Sequence, residues 1–412
     1  MLQQYLANKI RILRSALAAE FNREMIQDAM AIILCPKHRG SGLHRLEGLA
    51  AKHMVRFIRA WSEYRLPNPL EEDKDYGYLL DRINKLHNQL LLLIEDFITK
   101  GTASHPPREY SCLPQRRTNE RHLMFRGHKI ARRFDSAYLS AAERKRFLRT
   151  FLVHELCSMT GNIEFHQQAL NMSRNAMIYT RILSRTEYEA LECVDGYYRS
   201  LYGAMFAQCA NDGRLPRANE GCSLRDRIRN PNNSVFDAEH YEPELAWYRS
   251  NGIGVDNYAE CFSRLGLHRI LEFLSHDMTT ADGRKALQVE MKLVWDSEDP
   301  GKTKKWADAY KSLLLAVQVG PLEKVYKSIG VHDRNDVRLM VAQQSAWVFF
   351  DDERFYPPAP TYRCTEQRKQ SKKQPGKKYD RREIVLKCGR RDRPKRCIRR
   401  LEEQSIRQSR NL

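Results

Sequence analysis

Apolar side chains recur every three or four residues through most of the first 356 positions of this chain, the spacing that lines up one face of an α-helix. Runs of four to eight residues that alternate Val, Ile, Thr or aromatics with polar groups, as a half-buried strand requires, are almost absent. Leu, Ala, Arg, Glu and Gln fill many of the periodic positions, and all favour helix. The expected class is therefore mainly α: a multi-helix, bundle-like body. At 412 residues, 42% of them hydrophobic, the chain has material for a sizeable core and length for two to three domains.

Helical pattern runs from Leu2 to about Leu34 and stops at Cys35-Pro36, with Gly40 and Gly42 following. A second helix fits Leu43 to Leu66, with Leu49, Met54, Phe57, Ile58 and Trp61 on one side and Pro67 and Pro69 ending it. A third, Tyr76 to Lys100, carries Leu79, Ile83, Leu86, Leu90, Leu93 and Phe97 on one stripe, and Gly101 reads as its closing residue. Residues 1–100 thus read as an N-terminal antiparallel bundle, and 101–119, rich in turn formers, as a linker.

The main helical domain is placed at 120–356. Within it Ser140 and Glu143 make a capping-box pattern ahead of Phe147, Phe151, Leu152 and Leu156, and a further helix covers Thr186 to Cys209. Residues 211–235 are polar, an expected loop or insertion. Apolar clusters return at Leu265–Leu274 and Leu287–Trp295, and residues 357–362, rich in proline, form a linker that ends the fold.

Beyond that linker the composition changes sign. Residues 363–412 hold 19 Lys and Arg against 6 Asp and Glu, so this run supplies +13 of the chain's net +19 and the preceding 362 residues only +6. It is expected to be disordered or partly helical, with a thin apolar seam of Ile398, Leu401 and Ile406 after Pro394. Its basic pairs are Lys372-Lys373, Lys377-Lys378, Arg381-Arg382, Arg390-Arg391, Lys395-Arg396 and Arg399-Arg400. Paired Lys/Arg at such intervals suits nuclear import and equally suits neutralising phosphates. Tyr379 is the sole aromatic of the run, so delocalised electrostatics fits better than stacking on bases. The implied partner is a polyanion, nucleic acid first, with protein partners for the helical body.

Several patterns that invite an enzyme or metal reading lack their required neighbours. Gly301-Lys302-Thr303 has Asp296 where a phosphate loop needs its first glycine, and Gly40-Ser41-Gly42 has Arg45 where a dinucleotide fingerprint needs its third. His154-Glu155 opens like a zinc-protease helix, but Ser158 stands one turn on where the second histidine must return. Cys364, Cys388 and Cys397 have no fourth ligand near them in the tail, and the ten cysteines include no Cys-x-x-Cys pair. Leu322 to Leu339 has a helix, glycine turn, helix layout, yet bulky Tyr326 and polar Asp336 occupy positions where a helix-turn-helix packs small and aliphatic residues. No cofactor or metal is implied, and the expectation is a non-enzymatic protein, with an enzyme of unrecognised signature as an alternative.

No window holds eighteen apolar residues, so no membrane span is expected, and the chain reads as nuclear or cytoplasmic. The first segment is acid-poor until Glu20, as mitochondrial presequences are, but it is poor in serine and runs straight into further helical pattern, which favours an ordinary amphipathic helix.

Three stretches, Leu139–Cys157, Cys261–Leu267 and Arg338–Phe355, resemble uncharacterised helical proteins of filamentous ascomycete fungi. Some of those proteins look like F-box-containing chains, and that resemblance implies a substrate adaptor for a ubiquitin ligase. The N-terminus here lacks the Leu-Pro opening of that module, and the resemblance brings no catalytic residues.

Overall fold

The computed structural model of the chain describes residues 2–35, 47–71, 76–103, 106–114, 122–161, 184–209, 236, 258–297 and 337–351. Eleven α-helices lie within them: α1 (Leu2–Glu20), α2 (Arg23–Leu34), α3 (Glu47–Ser62), α4 (Gly77–Thr102), α5 (Pro106–Tyr110), α6 (Ala141–Gly161), α7 (Arg185–Cys209), α8 (Tyr258–Ser263), α9 (Gly266–Phe273), α10 (Ala281–Ser297) and α11 (Val337–Gln344). A three-stranded antiparallel sheet, β1 (Leu113–Pro114), β2 (His122–Phe125) and β3 (His128–Arg132), accompanies them in the order β1-β2-β3. The fold is mainly α, as the periodicity requires. The 211–235 insertion, the Gly301 and Gly40 motifs, residues 322–336 and everything from 352 onward lie outside the described residues.

The single helix expected over Leu2–Leu34 is two. Phe21 and Asn22 interrupt it, and the Asn22 side chain accepts from Met25 N–H at 2.9 Å, the bond that starts a new helix. Asn offers the backbone this alternative to continuing the first helix, so the apolar period alone misses the break. α2 then reaches α3 through polar groups: the Gln27 amide exchanges two bonds with Leu66, and Trp61 Nε1 donates to Asp28 at 3.1 Å. α4 buries every residue of its expected stripe, from Leu79 to Phe97.

The hairpin of β2 and β3 turns at Arg126 and Gly127, whose φ values of 48° and 87° are both left-handed, the geometry that matches the twist of paired strands. Arginine is unfavourable there. Its side chain offsets the cost by donating from Nε to the Gln208 carbonyl at the end of α7, at 3.2 Å. Leu123 and Phe125 face inward onto Cys112 as a small core of their own.

Residues 101–119 do not act as a linker where they are described. α4 runs on through Gly101 to Thr102, and α5 and β1 are packed in, with Tyr110, Cys112 and Leu113 buried. One core cluster extends from Leu17 on α1 to Phe349 on the short 3-10 turn Trp347–Phe349, so the described parts of 1–100 and 120–356 share a core and are not separate bundles. The join is aromatic. Phe349 stacks on Phe147 of α6 at 4.0 Å and meets Phe97 of α4 edge-on, while Phe97 stacks on Tyr197 of α7 at 4.7 Å. The capping box forms as expected: Ser140 N–H donates to Glu143, and Glu143 N–H donates to Ser140 Oγ. Arg146 fixes the C-terminal end of this core, donating to the Phe349 carbonyl and to Asp351.

Gly101 sits where α11 comes closest to α4. A Cβ placed there would stand 2.9 Å from the Gln344 carbonyl oxygen, which also accepts the Tyr110 hydroxyl at 2.6 Å. In an open helix Gly→Ala stabilises by about 1 kcal/mol. Here the methyl must push backbone aside and strain that hydrogen bond, and overpacking costs about 1–3 kcal/mol. Gly101→Ala is therefore expected to lower the unfolding free energy in urea, a reversal of its ordinary sign.

Candidate functional site

A group of ionisable side chains gathers where α6, α7 and α8 meet. Asp195 of α7 is its centre. The carboxylate is 5% exposed and accepts from Arg199 one turn on, at 2.6 Å; Ser263 Oγ of α8 donates to it at 3.3 Å, and His154 Nε2 of α6 lies 3.5 Å away. Burial alone raises a carboxyl's pKa, but Arg199, with His154 and Arg264 behind it, holds Asp195 far below the usual carboxylate range. Arg199 is 35% exposed and carries the group's charge out toward solvent. The Tyr198 ring lies against the imidazole, 4.4 Å between centroids.

Ser, His and Asp in one place suggest a nucleophile relay, and the order of contacts decides against it. A relay needs the imidazole between hydroxyl and carboxylate. Here the carboxylate is in the middle, and the Ser263 hydroxyl donates its hydrogen bond to Asp195. The arrangement orients and neutralises charge. It leaves Ser263, which is fully buried, as a donor to a carboxylate.

His154-Glu155, the pair that opened like a zinc motif, divides between two structural tasks. His154 faces Asp195, whereas Glu155 accepts the Leu267 N–H at the start of α9, a carboxylate at the positive end of a helix. Gly266 (φ +78°) makes room for it, since a Cβ there would stand 2.8 Å from Glu155 Oε2. Ser158, in the place of the missing histidine, donates to the His154 carbonyl. Among the described residues no three His, Cys, Asp or Glu are placed to hold a metal ion.

A second buried polar group lies deeper. Lys100 and Asp96 on α4, both fully buried, pair at 2.7 Å, and Tyr197 of α7 donates to Asp96 at the same distance. The ammonium rests over the rings of Tyr110 and Tyr197, 5.8 and 5.7 Å from their centroids. Burial raises the Tyr197 phenol well above its ordinary value, and the neighbouring Asp96 charge raises it further, so it stays a donor. The Cys112 thiol beside this group is similarly inert, and so is Cys209 near Arg126 and Arg284: burial pushes each up to about 12.

The twelve tail positions predicted as the binding site, Lys372, Lys373, Lys377, Lys378, Arg381, Arg382, Arg390, Arg391, Lys395, Arg396, Arg399 and Arg400, lie outside the described residues, as do Cys364, Cys388 and Cys397. No described helix is long and apolar enough to cross a membrane. The polar groups at Asp96, Lys100, Asp195 and Arg199 escaped the sequence reading. Their one visible trace is the i, i+4 spacing of opposite charges on otherwise apolar faces.

Two measurements probe these groups. Replacing Lys100 by Met leaves Asp96 buried and unpaired, an expected loss of about 3–5 kcal/mol of stability, while Asp96→Leu with Lys100→Met restores most of it; a double-mutant cycle in denaturant gives the coupling. Glu192, one turn before Asp195, is pushed up to about 7 by burial and then by the Asp195 charge. Between pH 4.5 and 7 the folded chain keeps a proton on Glu192 that the unfolded chain has released, so stability from this group falls as pH rises through that window and is flat above it. Glu192→Gln is expected to raise Tm by about 2–4 °C at pH 8 and to change it little at pH 5, measured by circular dichroism.

No protein-family model matches this sequence, and neither a curated protein nor a solved structure does, so the chemistry of the groups above is what bears on their role.

Proposed function

We propose that this chain is a non-enzymatic helical interaction scaffold that binds a polyanion, nucleic acid before others, through residues 363–412. One observation carries the reading: +13 of the +19 net charge is confined to the last fifty residues, beyond a proline-rich segment, while the preceding 362 residues are close to neutral. Charge needed only for solubility has no reason to collect in one segment. Phosphate chains accept such charge without fixed geometry, because each neutralised phosphate releases a counterion. One further feature supports it. In the described body the buried carboxylate Asp195 is held by Arg199, His154 and Ser263, an arrangement that neutralises charge.

The test is binding of a short DNA or RNA duplex across a salt series by the whole chain and by a version ending at 362. If six of the basic residues meet phosphates, the log–log salt slope is about −5. Removing the tail is expected to take most of that slope with it and to weaken binding at least tenfold near physiological salt. Unchanged affinity and slope after removal refute the reading.

A further inference from the structure

The excess charge of the body is not spread over it. Between Arg116 and Arg133 the chain has seven Lys and Arg and one Glu, a surplus of six. That equals the whole surplus of residues 1–362, so the rest of the body balances, 44 basic against 44 acidic. The described part of this stretch is the hairpin, and the sheet pattern sorts its side chains.

Leu123 and Phe125 point inward onto Cys112. His122 pairs across from Arg132, and Met124 across from Lys129, with a register shift between Leu123 and Met124 that puts an additional residue into β3. His128, Lys129 and Arg132 are exposed. At the turn, Arg126 is held by the end of α7 and lies close enough to Arg284 of α10 for the two charges to oppose each other. Arg284 in turn is fixed by the Met278 carbonyl at 2.9 Å, and Lys285 beside it is exposed. Carboxylates border the patch at Asp135, Asp277 and Asp282; Asp277 is engaged by the Thr279 N–H and hydroxyl. Glu95 pairs with Arg133 at the far end of the hairpin.

A strand edge lined with lysine and arginine also resists pairing with other strands, and that alone accounts for one or two such residues. It does not account for the further like charge of Arg126 and Arg284 at the turn, each tied to a backbone carbonyl and so held beside the strand face.

We propose that the outer face of this hairpin, Lys129 and Arg132 with the turn arginines Arg126 and Arg284, is a second contact for a nucleic-acid backbone, acting together with the basic tail. The inference rests on the polyanion reading above. Nucleic acid is favoured over an anionic membrane because none of the large apolar residues exposed on the described surface belongs to the hairpin; the nearest in sequence to the patch, Val289 and Leu293, sit further along α10 than Arg284 and Lys285. A two-stranded ribbon is also a shape that follows a duplex backbone or groove.

The experiment uses the full chain and a duplex of about 20 base pairs, with Lys129→Gln and Arg132→Gln combined, and with Arg11→Gln and Lys85→Gln combined as an equal loss of exposed charge elsewhere. The hairpin variant is expected to flatten the salt slope by about 2 and to weaken binding roughly tenfold near physiological salt, with the second pair close to wild type. Lys129→Arg with Arg132→Lys keeps the charge and is expected to bind normally, so loss of binding through misfolding is recognised. Wild-type binding by the hairpin variant, alongside loss of binding when the twelve tail residues become Gln, overturns this contact and leaves the proposed function standing. No salt-dependent binding by the whole chain overturns both. An equal loss in the Arg11 and Lys85 pair, or a loss confined to phosphatidylserine vesicles, also overturns it.

Discussion

Two charges buried on one turn of α4 set the terms for everything packed around them. Lys100 and Asp96 have no access to water, and an ion pair so placed is tolerable only if the remaining hydrogen-bonding capacity and charge are met by fixed neighbours. Tyr197 donates to one Asp96 oxygen from α7, the rings of Tyr110 and Tyr197 face the ammonium, and the Tyr110 hydroxyl passes the constraint on to Gln344 of α11. Three segments, two of them far away in the chain, are thereby tied to one turn. Next to it the glycine at 101 lets the α11 backbone approach, and Phe97, one position past Asp96, stacks on Tyr197 and meets Phe349. Polar and aromatic contacts close the same junction, which is why the first hundred residues and the last described ones share a core.

That junction also explains which parts of the fold were legible in the sequence. The stripe of α4, the capping box at Ser140 and the helix ending at Cys209 depend on neighbours three or four positions away, and periodicity reports such neighbours directly. Gly101 was read as a helix terminus because glycine commonly is one. Its actual reason is a carbonyl 243 positions away in the chain, which no local pattern encodes. The break at Asn22 and the hairpin at Arg126-Gly127 were missed for the opposite reason. Both are local, but each is signalled by one or two residues against a strong helical background, and the strands are only four and five residues long.

The Asp195 group was illegible in a different way. Its members, His154, Asp195, Arg199 and Ser263, come from three helices, and only Asp195 and Arg199 share a spacing that suggests contact. Reading His154-Glu155 by its failure to complete a zinc motif was sound, yet it could not show that the histidine faces a carboxylate or that the glutamate caps α9. The contact order matters more than the residue list. With the carboxylate between hydroxyl and imidazole, the group is arranged to keep buried charge neutralised, the same problem that Lys100 and Asp96 solve one layer deeper.

The body therefore spends its buried charges on each other, and this bears on the two places where charge is left over. Asp96 is paired with Lys100 and Asp195 with Arg199, and outside the hairpin segment the basic and acidic residues of the remaining body sum to zero. By sequence, the net positive charge is concentrated in two places, the stretch from Arg116 to Arg133 that contains the hairpin and residues 363–412. Each surplus carries a cost of like-charge repulsion that an anionic partner would relieve. A chain that balances 44 acidic groups against 44 basic ones over most of its body has the means to balance the rest as well. That it does so everywhere except on a ribbon and a tail is the physical reason to look for one partner of opposite sign spanning both.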